Sequence, residues 1–458
     1  GKATLESFRN SSKLIAFFGR VTYNFDEKYF IMGSLRDEGS SKFGKSNKWG
    51  LFPAISAGWE IKKENFLKDV EFINTLKLRA GFGVTGTMPN DPYLSLTLLD
   101  YGQIIYSDGS WVQSVVPTSN PNPDLKWETK NEYNLGVDFS LFKNRLSGSV
   151  DVYMRKTSDL LFNYPVPVPP NLVANTWANV GKITNKGIEL SMNYDAIRNK
   201  DLQWSVNGNF SYNKNVVNSL SNALYQKDWV QVGDTEEPMK TYTHRLEQGQ
   251  PVGNFYSWRY AGLTPEGKWL FYDKDNKPTT ADKIGEEDKA ITGNGIPKIN
   301  VGLSTTIFYK NFDLTVSARG SFLFQVLNRY DMRFTQAQHA KAGTNMTKKA
   351  LEIPKGMQSY IWDSPVYSDY YIENGNFVKI DNITLGYTFK LPCKEIRNLR
   401  VYASGLNLFT FTKYSGLDPE VSLTGSSVLD PGTAGSIAGR GEIYPTTRTF
   451  TFGVNLSF

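Results

Sequence analysis

Residues able to carry catalytic chemistry are scarce in this chain of 458 residues. It holds two histidines, His244 and His339, and one cysteine, Cys393, which excludes an internal disulfide framework and leaves little for a metal centre or a proton shuttle. Serines and aspartates could join a histidine in a triad. Both histidines, however, sit in long aperiodic segments, and nothing resembles a nucleophile elbow. Carboxylate pairs occur throughout, but a glycosidase needs two at a set separation across a bound sugar, which spacing along a sequence does not establish. Gly81-x-Gly83-x-x-Gly86 fits a dinucleotide-binding pattern and follows a strand-like segment. That motif works by opening a helix onto a pyrophosphate, whereas Met88-Pro89-Asn90-Asp91-Pro92 follows here, so the glycines read as strand positions and a strand end. No residue is assigned a catalytic or metal role, and the chain is expected not to be an enzyme. A barrel-type membrane protease is the minor enzymatic alternative.

Binding chemistry is better represented. Trp111, Trp177, Trp229, Trp269 and Trp362 all fall in long segments without strand periodicity. Their flat faces could stack on sugar rings or grip a partner protein, and they could equally pack the small cores that loops of such length must form. Trp59 and Trp204 read instead as residues of a membrane-interface belt. The Lys and Arg residues behind the formal charge of +6 are scattered rather than gathered into a basic stripe, so nucleic acid is not an expected partner.

The elements that must position these residues are strands. Aromatics make up 14% of the chain, yet the mean hydropathy is −0.40, because Phe, Tyr and Trp sit beside Asn, Ser, Thr and Gly. No stretch approaches the roughly 20 apolar residues of a spanning helix. Instead, apolar and polar residues alternate along most of the sequence. Phe450, Phe452, Val454, Leu456 and Phe458 oppose Thr449, Thr451, Gly453, Asn455 and Ser457, and Tyr133, Leu135, Val137 and Phe139 oppose Asn134, Gly136, Asp138 and Ser140. Arg20, Arg79, Asp138, Asp151, Glu189, Asp313 and Arg319 fall on the polar side. The pattern predicts strands at 14–25, 28–36, 50–61, 75–86, 127–142, 145–155, 183–195, 202–213, 298–309, 312–324, 376–390, 398–411 and 446–458.

Short connectors (Asp26-Glu27, Lys143-Asn144, Lys310-Asn311) alternate with long ones at 87–126, 156–182, 214–297, 325–375 and 412–445. That asymmetry is the mark of an outer-membrane β-barrel with short periplasmic turns and long extracellular loops. The expected fold is therefore all-β: part of a transmembrane antiparallel barrel with a polar lumen. An odd strand count is unusual for a single-chain barrel and predicts an outward-running strand before residue 1, with Gly1 in an outer loop. A strand within 253–262 would make the count even but would break the alternation of connectors. Two alternatives remain, a self-contained passive porin and a soluble glycan-binding β-sandwich whose apolar faces meet in a core.

Several loop-to-strand junctions carry a family likeness. They are Arg36–Gly44 (RDEGSSKFG), Trp49–Pro53 (WGLFP), Leu76–Gly86 (LKLRAGFGVTG), Asn122–Glu128 (NPDLKWE), Asn185–Leu190 (NKGIEL), Gly375–Tyr387 (GNFVKIDNITLGY) and Gly405–Thr410 (GLNLFT). With them the chain resembles the SusC/RagA-type TonB-dependent transporters of Bacteroidetes through nearly its whole length. The segment from Tyr444-Pro445 to Phe458 looks like the family's closing strand, which implies that Phe450, Phe452, Leu456 and Phe458 signal barrel assembly.

The resemblance implies a barrel of about twenty-two strands, with roughly nine upstream of this chain. It also implies import of oligosaccharides or oligopeptides, an N-terminal plug displaced by TonB, a SusD-like surface lipoprotein docked on the outer loops, and pairing of two transporter–lipoprotein units. The plug, the TonB box and a signal peptide are not expected within these residues, so TonB would act through the missing N-terminal region. Many relatives carry an acidic, glycine-containing turn where Asp273-Lys274-Asp275-Asn276-Lys277-Pro278 stands. A calcium loop needs an oxygen ligand at the fifth position and glycine at the sixth; Lys277 and Pro278 supply neither, so a solvated loop is expected and no cofactor is assigned.

Overall fold

A computed structural model describes residues 9–222, 226–233, 241–343, 345–355, 357–391, 397–420, 431–433 and 446–458. Gly1, Cys393, Tyr444 and Pro445 lie outside the described residues. Among the described residues thirteen strands follow one another in a single antiparallel sheet. They are β1 (Leu14–Phe25), β2 (Tyr29–Ser40), β3 (Trp49–Glu60), β4 (Ile73–Thr87), β5 (Glu128–Leu141), β6 (Leu146–Pro165), β7 (Asn175–Arg198), β8 (Leu202–Ser219), β9 (Ile299–Tyr309), β10 (Phe312–Phe322), β11 (Phe377–Phe389), β12 (Asn398–Thr412) and β13 (Thr449–Ser457).

Every strand expected from the alternation is present, because the period-two pattern places one chemistry on each face and so sets the register. Asn254–Ser257 and Arg259–Leu263 are also strands, but they belong to small sheets outside the main one, which keeps its count of thirteen. The tight turns have the backbone that two-residue hairpins demand: Asp26 and Glu27 both have positive φ (54° and 50°), and Lys28 N–H donates to Phe25 O at 3.0 Å.

One face of the sheet is apolar and open. Phe17 is 66% exposed, Val21 74%, Leu135 53%, Leu303 55% and Phe452 81%, the reverse of a soluble sandwich, which would bury this face against a second sheet. No helix among the described residues is long and apolar enough to cross a membrane. Aromatics gather near the short-turn ends, where Tyr29 OH and the Trp59 indole N–H donate to Glu64 Oε1 at 2.6 and 3.0 Å, and Phe312, Tyr387 and Phe389 pack edge to face. That is the composition of an interfacial girdle.

The described chain divides into two compact units, Gly1–Phe139 with Asp151–Lys186 and Asn215–Asp228, and Ser140–Val150 with Gly187–Lys214 and Trp229–Phe458. In the first, Phe43, Phe52, Leu125 and Trp127 form one core, and Tyr164, Val166, Ala178 and Val180 form another. The second core explains why β6 and β7 run beyond the expected 145–155 and 183–195: their outer ends have apolar residues to bury, and the connector expected at 156–182 shrinks to 166–174. In the second unit the principal core is Phe255, Trp269, Phe271, Leu327, Met332, Tyr367 and Tyr371. All of these cores but for a few strand-end residues are built from the long connectors, so loop folding proceeds by ordinary hydrophobic burial while the sheet leaves its apolar face to lipid.

Candidate functional site

The polar face of the sheet carries charge in organised pairs. Arg79 on β4 donates through Nε to Asp138 Oδ2 at 2.7 Å and through Nη2 to Asp138 Oδ1 at 2.8 Å and Asp151 Oδ2 at 3.1 Å. Between Arg79 and Asp151 stands Gly136, where a Cβ would meet Arg79 Nη2 at 2.7 Å. The arrangement recurs in the second unit, where Arg400 on β12 makes a two-pronged bond to Asp313 on β10 at 2.8 and 2.5 Å. A Cβ on the intervening Gly386 would meet Arg400 Nη2 at 2.6 Å. In both places a glycine on the middle strand lets a long side chain cross to the far strand.

A third network lies where the last long connector leaves β12. Arg319 and Lys379 stand directly opposite each other on β10 and β11, an arrangement of like charges that requires counter-charge. Lys379 Nζ donates to both carboxylate oxygens of Asp418 (2.8 and 2.9 Å) and to Glu420 Oε2 (2.9 Å), and Arg319 Nη2 donates to Glu420 Oε2 at 2.7 Å. Arg319 also pairs with Asp381 at 3.1 Å. Burial pushes the Asp418 and Glu420 carboxyl groups up; hydrogen bonds from Lys379 to both, from Thr446 to Asp418 and from Arg319 to Glu420, with the nearby positive charge, together hold both below their ordinary values.

Asp381 reaches this network through a β-bulge, with Ile380 and Asn382 paired to Ala318 and Ser317 and the intervening residue left over. The signal is present in the sequence as a change of phase. Apolar residues occupy 378 and 380 and then 383, 385 and 387, which one face can hold only if a residue is extra. Alternation placed Arg79, Asp138, Asp151, Asp313 and Arg319 on the polar face, and there they are paired. It did not find Lys379, Asp381, Arg400, Asp418 or Glu420. Arg20 and Glu189 are exposed.

The five loop tryptophans occupy different settings. Trp111 is 72% exposed on a hairpin of Leu99–Ser107 and Ser110–Pro117, edge-on to Tyr106 at 5.2 Å. Trp177 packs half-buried against the Phe43–Trp127 core. Trp229 is 45% exposed, with the Arg245 guanidinium over its ring at 4.5 Å. Trp362 is 44% exposed, and Lys341 lies over its ring at 5.4 Å. Trp269 is 2% exposed and packs among Tyr260, Phe271, Tyr370 and Tyr371, with its indole N–H donating to Ser364 O at 3.1 Å, so its place is in the loop core and not on a ligand-facing surface. On β13, Phe450, Phe452 and Leu456 lie on the apolar face, and Phe458 follows the strand's end.

At Asp273–Pro278 the turn is closed by Asp273 Oδ1, which accepts from the backbone N–H of Asp275 (2.9 Å) and Lys277 (2.8 Å). The Arg259 guanidinium donates to Asp273 O at 2.6 Å and to the Asn276 side chain, oxygens that a bound cation would otherwise take. Among the described residues no group of three or more His, Cys, Asp or Glu converges as a metal site.

Residues 3–408 match the family described as TonB dependent receptor-like, beta-barrel. Among individual relatives the chain is 33% identical to TonB-dependent receptor P3 of Formosa agariphila, over 100% of this chain and 47% of that protein. It is 33% identical to TonB-dependent receptor SusC of Bacteroides thetaiotaomicron, over 99% of this chain and 44% of that one. The RagAB peptide importer superposes in its open-open state with a TM-score of 0.82 and 26% identity, covering 98% of this chain and 47% of that one. In its closed-closed state the TM-score is 0.81, again at 26% identity, with 97% and 48% covered. The chain thus spans about half the length of the relatives it matches. With a two-faced sheet of thirteen strands, an open apolar side and long folded loops, it belongs to the TonB-dependent receptor-like β-barrel family of the outer membrane, in its SusC/RagA-like branch.

Proposed function

We propose that this chain is the C-terminal barrel portion of a SusC-like importer that takes up oligosaccharides or oligopeptides by TonB-driven transport. The observation that carries the proposal is the polar face of the sheet, where Arg79, Arg400 and Lys379 are fixed to carboxylates in organised pairs. Such a face offers polar solutes many weak contacts. The remaining strands, the plug and the TonB contact are supplied by polypeptide beyond these residues, in keeping with relatives about twice as long.

The partner in this reading is a SusD-like lipoprotein seated on the outer loops, with two such pairs assembling side by side. Its docking surface includes the 99–117 hairpin, and Phe450, Phe452, Leu456 and Phe458 form the signal read during barrel assembly. The test is the intact mass of the polypeptide purified from outer membranes in detergent, with identification of what co-purifies. A mass near twice 51.6 kDa together with a lipoprotein is the expected result. A folded species of 51.6 kDa alone would overturn the proposal in favour of a self-contained porin.

A further inference from the structure

Outside the main sheet, the second unit contains a four-stranded sheet in the order Trp229–Val232, His244–Glu247, Asn254–Ser257, Ala290–Asn294. Its two faces differ in kind. Val230 (9% exposed), His244 (1%), Leu246 (3%) and Phe255 (0%) are sealed on one side. Register and alternation put Trp229, Gln231, Arg245, Glu247 and Tyr256 on the other, with Trp229 directly opposite Glu247 and Gln231 opposite Arg245. The Arg245 guanidinium lies between two rings, 4.5 Å from the centre of Trp229 and 4.6 Å from that of Tyr256, and its Nε is 3.2 Å from Glu247 Oε2.

From this geometry we propose that the face is a binding platform for a neutral sugar ring of the transported oligomer. The inference rests on the import reading and assigns a ligand class to one surface of it. Trp229 is 45% exposed with the guanidinium 4.5 Å over its ring, so part of its surface is left for a ligand. The cation already draws on the ring's negative quadrupole, which makes the ring a poor seat for a second cation. Glu247, with its side chain 33% exposed beside the ring, repels an anion. A neutral ligand with C–H groups on its face and hydroxyls on its rim, the description of a hexopyranose, suits the ring together with the acceptor and amide beside it. Glu247 accepts hydrogen bonds from hydroxyls, and the Gln231 amide both donates and accepts. Arg245 holds the indole and the carboxylate in place before the ligand arrives, so little ordering is left for binding to impose.

The test uses the full transporter purified with its partner, titrated calorimetrically with maltoheptaose, cellohexaose and a neutral hexapeptide of Gly, Ala and Ser. At least one glycan is expected to bind, Trp229→Ala to weaken it by roughly tenfold, Trp229→Phe to retain most of the affinity, and Glu247→Gln to weaken it less than Trp229→Ala. Failure of both glycans to bind, or undiminished binding by a folded Trp229→Ala variant, overturns the platform. Uptake of the same probes by cells with and without TonB separates the two readings. Uptake of all three that ignores TonB rejects the import reading, while TonB-dependent hexapeptide uptake with glycan binding indifferent to Trp229 rejects the platform alone.

Discussion

Twice in this sheet an arginine reaches a carboxylate by crossing a glycine, at Arg79–Gly136–Asp151 and at Arg400–Gly386–Asp313. Each bridge ties non-adjacent strands together on the polar side, where backbone ladders alone join only neighbours. Adding a methyl group at Gly136 would press on Arg79 Nη2 and Asp151 Oδ1 and force these side-chain ends apart, weakening the bond between them. Because the Arg79 side chain is 33% exposed, screening limits the loss, and Gly136→Ala should destabilise the full transporter by about 1–2 kcal/mol. Gly81→Ala is the control, lying on the same strand and face as Arg79 with no atom nearer than 3.9 Å to its added Cβ, and should be neutral or slightly stabilising. Urea midpoints of the refolded protein in lipid measure both; equal midpoints would deny the bridge a structural role. Alternation made the members of this cluster legible as a face. Their pairing was not legible, since it depends on which residues stand side by side across three strands, a property of register that no single strand encodes.

At the scale of elements, the spanning strands were readable because lipid on one side and water on the other impose one chemistry per face. The agreement at β1, whose observed bounds Leu14–Phe25 coincide with the expected 14–25, comes from that constraint. It lapses above the membrane. There the outer ends of β6 and β7 and the small sheets around Phe255 and Trp269 fold around cores whose members come from far apart in sequence, and periodicity within one segment gives no sign of them. One such element should respond to pH. His244 is buried between its strand neighbours, its Nε2 2.9 Å from Pro431 O and its Nδ1 2.8 Å from Thr243 Oγ1. The carbonyl can only accept, so Nε2 carries the proton and Nδ1 accepts from the hydroxyl. Burial lowers the His244 pKa to about 4, against the opposing hydrogen bond to Pro431. The unfolded segment takes up a proton near pH 6.5 while the folded one resists until about pH 4, so stability is complete above 6.5 and falls through that window, by at most about 3 kcal/mol. Hydrogen exchange of residues 244–257, corrected for intrinsic rates, should accelerate between pH 7 and pH 5. The same correction applied to His244→Gln should leave no pH dependence; an unchanged dependence would assign the effect to another group.

For the whole molecule, the question is what covers the hairpin of Leu99–Ser107 and Ser110–Pro117. Tyr101 is 78% exposed, Trp111 72%, Leu99 64%, Tyr106 63% and Ile104 62%, so the element shows water an apolar surface from both strands. A lone two-stranded ribbon is marginal in water, and an apolar patch this continuous marks a contact surface. The hairpin's root, by contrast, is secured. The Asn120 side chain donates to Val173 O and Asn175 O and accepts from the backbone N–H of Leu172 and Val173, while Thr118 N–H donates to Leu98 O. Four bonds from one buried amide fix the return of the chain whatever the tip does. The tip is therefore separable from the fold beneath it. Replacing residues 99–117 with a short Gly-Ser linker in the full transporter should leave outer-membrane insertion and heat-modifiable migration intact while cutting co-purified lipoprotein by about tenfold or more. If the lipoprotein remains at its original ratio, the lid docks elsewhere and the hairpin's apolar surface serves another contact. If instead insertion fails, the hairpin is needed for assembly itself, and Asn120 does not isolate it from the fold as its four bonds require.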